Sequence, residues 1–126
     1  MQEVYYNDTP RKEEIVAKLE ADGFAGEYRP VTLGIVPLRD LGRVTVAAGA
    51  LSGPAGTIQA EAVDVGWVSY RVTRVTMEGS VYTIAPRFVM PGNSIPCPRE
   101  VARRFWLTVR TPADAKPGPY RGTVSV

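Results

Sequence analysis

Residues 62–76 read "AVDVGWVSYRVTRVT". Successive side chains of an extended strand point to opposite faces. Val63, Val65 and Trp67 therefore share one side of this segment, and Val68, Tyr70 and Val72 share the other. Both sides carry apolar groups, so one face need not stay buried along the whole length. A β-bulge at Gly66 or a crossover between sheets is expected to switch the faces.

Further strand-like runs lie on either side. The turn "MEGS" (77–80) leads into "VYTIAPRFVM" (81–90), and "PGNSIPCPRE" (91–100) reads as a proline-rich loop. "RRFWLTVRT" (103–111) places Phe105, Leu107 and Val109 on one face and Trp106 and Thr108 on the other. Upstream, "RVTVAA" (43–48) turns Val44 and Val46 inward. "VTLGIVPL" (31–38) carries Pro37, which places its end at a sheet edge. "SGPAGT" (52–57) reads as a turn and "YRGTVSV" (120–126) as the closing strand, ending at what reads as a domain boundary.

Composition agrees with that pattern. Valine occurs 17 times, threonine 10 and isoleucine 5, against 6 leucines, and β-branched side chains favour the pleated sheet over the helix. The 12 glycines and 11 prolines fall between the valine-rich runs, as turn residues should. The chain of 126 residues is long enough for one core. The expectation is a mainly β fold, an antiparallel β-sandwich of Ig-like or Greek-key type with six or seven strands.

One short N-terminal helix is expected over about residues 10–22. Thr9 is placed to cap it, Pro10 suits its first position, and Gly23 suits its end. Ile15, Val16 and Leu19 would form its apolar stripe, with Glu14 and Lys18 paired on the other side. Residues 1–25 are thus read as an N-terminal extension and residues 26–126 as the sandwich. The strand-like "EVYYN" (3–7) is a candidate open edge.

Within "PADAKPGPY" (112–120), Pro117 and Gly118 fit the central positions of a type II turn. Tyr120 directly after it resembles the tyrosine corner of Greek-key sandwiches, in which the hydroxyl ties back to upstream backbone.

Three stretches together, "GEYRPVTLGIVPLRDLGRVTV" (26–46), "YRVTRVTMEGSVYTIAPRFVM" (70–90) and "RRFWLTVRTPADAKPGPYRGTVSV" (103–126), resemble the N-terminal β-sandwich domain of bacterial glycoside-hydrolase-like proteins of the β-N-acetylgalactosaminidase type. The resemblance covers residues 26–126. It implies a non-catalytic accessory domain of an extracellular or periplasmic protein. Catalytic residues would then belong to a following (β/α)8-type barrel, which takes roughly 250 residues.

The residues themselves exclude several chemistries. With one cysteine and no histidine, cysteine-rich zinc sites, a Ser-His-Asp triad and a Cys-His dyad are impossible, as is an intrachain disulfide. Cys97, between two prolines, reads as a structural cysteine. The carboxylates Glu27, Glu61, Asp64, Glu78, Glu100 and Asp114 show no spacing that pairs two of them for glycoside hydrolysis. Asp40, Asp64 and Asp114 lack an EF-hand-like run. No cofactor, metal site or catalytic residue is predicted. A net charge of +2 leaves no nucleic-acid footprint. Arg71/Arg74 and Arg103/Arg104 read as solvated sheet positions. No run is long enough to cross a bilayer, and "MQEVYYND" (1–8) is not a signal peptide.

The leading expectation is therefore a structural module that packs against a following catalytic domain. One alternative is a carbohydrate-binding module whose platform draws on Trp67, Tyr70, Tyr82 and Trp106, since aromatic faces stack on sugars. One of the two tryptophans would be core. The other alternative is a homo-oligomer assembled through open strand edges.

Overall fold

The computed structural model describes residues 5–126. Among these residues the chain is mainly β, with antiparallel pairing throughout and ten strands rather than six or seven. The strands are β1 (Tyr28–Ile35), β2 (Arg43–Thr45), β3 (Ala47–Ala48), β4 (Leu51–Gly53), β5 (Gly56–Ile58), β6 (Val63–Arg74), β7 (Tyr82–Pro91), β8 (Ser94–Pro96), β9 (Arg103–Arg110) and β10 (Val124–Ser125). The count rises because the runs 43–48 and 52–57 and the proline-rich loop each break into short ribbons. "SGPAGT" is a hairpin, with Gly53 opposite Gly56 and a two-residue turn between them.

One layer is a four-stranded sheet in the order β1-β9-β6-β7. The other is made of the ribbons β2-β8, β3-β10 and β4-β5. The layers meet in a cluster of Val44, Val46, Ile95, Cys97, Phe105 and Leu107, flanked by Leu33, Ile35, Val63, Val65 and Trp67. Strands β1, β6 and β9 of the sheet contribute alternate residues to this cluster. Val63 pairs with Val109, Val65 with Leu107 and Trp67 with Phe105, while Val31 and Leu33 face Leu107 and Phe105 from β1. Pro37 follows β1, which is an edge strand of the sheet.

The face-switching bulge lies elsewhere than Gly66. The register of β6 and β7 shifts between Ser69 and Tyr70: Ser69 faces Phe88 and Tyr70 faces Pro86, which leaves Arg87 as the extra residue on β7. Gly66 has a different role. A Cβ there would stand 2.8 Å from the Met90 carbonyl and from Val89, so the glycine permits close approach of β7.

The expected helix over residues 10–22 does not form. Only Lys12–Glu14 makes a 3-10 turn, with Arg11 preceding it and Ile15 following. The reason is packing. Ile15 and Val16 are 71% and 59% exposed, so the stripe meets no core, and helices of this length draw their stability from such contacts. The expected Glu14–Lys18 pair is replaced by Arg11–Glu14 at 2.7 Å and by Lys18–Glu20. In "EVYYN", residues 3 and 4 lie outside the described residues, and residues 5–8 form a turn in which Asp8 N donates to the Tyr5 carbonyl.

Near the C-terminus, Tyr120 Oη donates to the Lys116 carbonyl at 2.8 Å. The hydroxyl thus ties back to backbone four residues upstream, as a tyrosine corner does. The hydrogen-bonded turn sits earlier than predicted, where Ala115 N donates to the Pro112 carbonyl. Pro117–Gly118 is a bend, with Gly118 at φ +147°, far from the type II value near +80°. The closing strand is shorter than expected. Val124 and Ser125 pair with Ala48 and Ala47, and Arg121 bridges Ser52, so the end of the chain completes the ribbon layer.

Candidate functional site

The core occupies one face of the sheet, so function must be sought on the other. Residues opposite one another across neighbouring strands share a face. On β6 the outward positions are Gly66, Val68, Tyr70 and Val72. On β9 they are Arg104, Trp106 and Thr108, and beside them stand Thr32 from β1 and Val89, Pro86 and Ile84 from β7.

This outward face is not uniformly wet. Val68 is 5% exposed and Arg104 only 4%, which corrects the reading of Arg104 as a solvated position. The N-terminal segment crosses here, held by Ala102 N donating to the Tyr6 carbonyl at 2.7 Å. Arg104 Nη2 reaches Thr32 Oγ1 at 3.4 Å, and its guanidinium lies 5.6 Å from the Trp106 ring centroid. Its Nε has no hydrogen-bond partner, and no carboxylate among the described residues forms an ion pair with it. Burial pushes the Tyr70 hydroxyl above its ordinary pKa. The Arg104 charge opposes that rise and the Asp8 charge adds to it.

The four aromatic candidates separate accordingly. Trp67 lies on the inner face against the core cluster. Trp106 and Tyr70 are part-buried on the outer face, and Tyr82, 57% exposed, stands further out beneath Arg74, whose guanidinium is 5.9 Å from its ring. Gly66 faces Trp106, and Tyr70 and Arg74 follow at intervals of four residues. The three outer aromatics are therefore about 13 Å apart along the strand direction and form no continuous row.

A different set does come together. Tyr5, Tyr6, Asn7, Val72, Tyr82, Thr83 and Ile84 line one shallow groove between the N-terminal segment and the β6–β7 hairpin. Sequence reading missed Tyr5 and Tyr6 because nothing local places an N-terminal turn on a hairpin some 70 residues later. The hairpin itself runs past the sheet. Pairing of β6 with β9 ends at Trp67–Phe105, whereas pairing with β7 continues to Arg74–Tyr82. Beyond the sheet the arm exposes Val72, Val75, Met77, Val81 and Tyr82.

Several of the carboxylates are engaged locally. Glu27 pairs with Arg29 at 3.0 Å and accepts from Phe24 N, and Asp64 pairs with Arg110 at 3.4 Å. Asp40 accepts from Gly42 N. Among the described residues no three Cys, Asp or Glu side chains are grouped to hold a metal ion, and no helix is long and apolar enough to cross a membrane.

Comparison with known proteins gives two positive findings. The family model described as the glycoside hydrolase 123 N-terminal domain matches residues 2–126. Among solved structures, the chain is similar to a family 123 glycoside hydrolase from Clostridium perfringens, analysed for the details of glycolipid glycan hydrolysis. The TM-score is 0.71 at 15% identity, over 80% of this chain and 18% of that one. The chain thus spans less than a fifth of the length of that hydrolase. No curated protein matches the chain.

Proposed function

The chain belongs to the glycoside hydrolase 123 N-terminal domain family, and from that membership we propose that it is a non-catalytic accessory module which packs beside the catalytic domain of an exported, extracellular or periplasmic glycoside hydrolase. The observation that carries this reading is the extent of the match. Residues 2–126 are accounted for as the N-terminal domain, whereas a catalytic barrel takes roughly 250 residues. The engaged carboxylates and the placement of Trp67 against the core support a structural role. The similarity to the C. perfringens hydrolase, analysed for glycolipid glycan hydrolysis, supports a reading in which glycoconjugates are the substrate class of the whole enzyme.

The test compares the full glycoside hydrolase polypeptide with a form lacking this domain. Hydrolysis of amino-sugar glycosides is expected only where the catalytic domain is present, and removal of the module is expected to lower the thermal midpoint of what remains. Hydrolysis by the 126-residue chain alone would overturn the proposal.

A second reading, glycan binding, draws on the groove in which three tyrosines converge with Asn7 and Thr83. Tyrosine faces and such polar groups suit sugar rings. Calorimetric titration against a glycan panel tests it, and no heat with any member removes it.

A further inference from the structure

The chain exposes 8817 Å² of surface, whereas a free-standing globular protein of 13.7 kDa exposes about 6,600 Å². The excess of about 2,200 Å² is well above the roughly 800 Å² that one partner buries in a standard interface. Part of it belongs to the extended N-terminal segment. Part belongs to the β6–β7 arm, where Met77 is 94% exposed, Val72 69%, Val81 60% and Val75 56%. An isolated two-stranded hairpin is marginally stable in water, and this one carries apolar side chains that, among the described residues, stay largely exposed.

Charge decides what kind of surface covers the arm. Between residues 68 and 90 the cations are Arg71, Arg74 and Arg87, against the single acid Glu78. All four are exposed. A two-fold contact between copies would set the same patch against itself and bring the arginines together. The patch therefore favours a different surface, apolar at its centre and acidic at its rim.

Resting on the accessory-module reading above, we propose that the β6–β7 arm, with Tyr5 and Tyr6 beside it, is the surface that docks this module onto an acid-rimmed apolar patch of the catalytic domain in the same polypeptide. The arm contributes the apolar contact through Val72, Val75, Met77, Val81 and Tyr82, and its arginines set the orientation. The extension of the hairpin past the sheet then has a physical purpose: it reaches a neighbour that the sandwich itself does not touch.

Hydrogen exchange in the 126-residue chain, compared with the full hydrolase polypeptide, tests this. Amides of residues 70–76 and 81–85 are expected to slow by about tenfold or more in the full polypeptide. The slowing is expected to weaken at high salt, which screens the rim charges. Val72→Asp with Met77→Asp should abolish it, Arg71→Glu should reduce it, and Leu38→Asp, at an exposed site elsewhere, should leave it intact. Slowing on another face with the arm unchanged would overturn this surface and leave the accessory role standing. No slowing anywhere would overturn both. Slowing of the arm in the isolated chain, either on raising its concentration or on adding a glycan, would assign the patch to a second copy or to sugar and overturn the proposal.

Discussion

Arg104, Cys97 and Tyr120 each couple one side chain to a measurable property. The Arg104 guanidinium is buried with one long hydrogen bond and an unpartnered Nε. Replacing a poorly compensated buried charge by an apolar group of similar size is commonly neutral or stabilising. Arg104→Met is accordingly expected to leave the denaturation midpoint unchanged or raised. Because the arginine opposes the rise in the Tyr70 pKa, the same variant should move the phenolate absorbance transition to higher pH. A fall in that transition would contradict the assigned geometry. Cys97 is fully buried, and burial pushes its thiol pKa up. The unfolded thiol ionises near the ordinary value of about 8.5, so above it the unfolded chain holds fewer protons than the native one. Stability from this group is complete below about pH 8.5 and is lost as pH rises toward the native pKa. Denaturant midpoints of the wild type and Cys97→Ala should therefore converge between about pH 7 and pH 9.5. Tyr120→Phe removes the bond to Lys116 and should cost about 0.5–1.5 kcal/mol, read from the same unfolding curves.

Gly53 joins two elements and shows how the ribbon layer holds together. A Cβ on it would lie 1.9 Å from the Pro119 carbonyl oxygen, so the β4–β5 hairpin and the 112–120 turn touch backbone to backbone. Ser52 completes the contact by exchanging both backbone hydrogen bonds with Arg121. Gly53→Ala must separate the two, and a loss of at least about 2 kcal/mol is expected, in the range of overpacked interiors, whereas Gly56→Ala meets no atom within 4 Å. Gly56 has φ +147°, so its substitution tests backbone strain alone. The N-terminal segment is the opposite case. Its caps and stripe read as a helix, yet the stripe faces solvent and only a 3-10 turn forms.

For the whole molecule, edge chemistry bears on assembly. The free edge of the sheet at β7 carries Pro86, the Arg87 bulge and Pro91, and β1 carries Pro30. Prolines and bulges are devices that block strand addition. The isolated chain is therefore expected to keep one mass across a wide concentration range in sedimentation, and a mass rising with concentration would restore assembly through edges. Alternation and turn residues were enough to establish the mainly β fold, the inward set Phe105, Leu107 and Val109, and the Tyr120 tie, because each rests on contacts between neighbours in the chain or on the two-residue period of a strand. They did not reveal which tryptophan is core, the Ser69/Tyr70 bulge, the burial of Arg104 or the groove joining Tyr5 and Tyr6 to Tyr82. Those depend on register between strands and on segments that meet only after folding, so tertiary packing alone decided them.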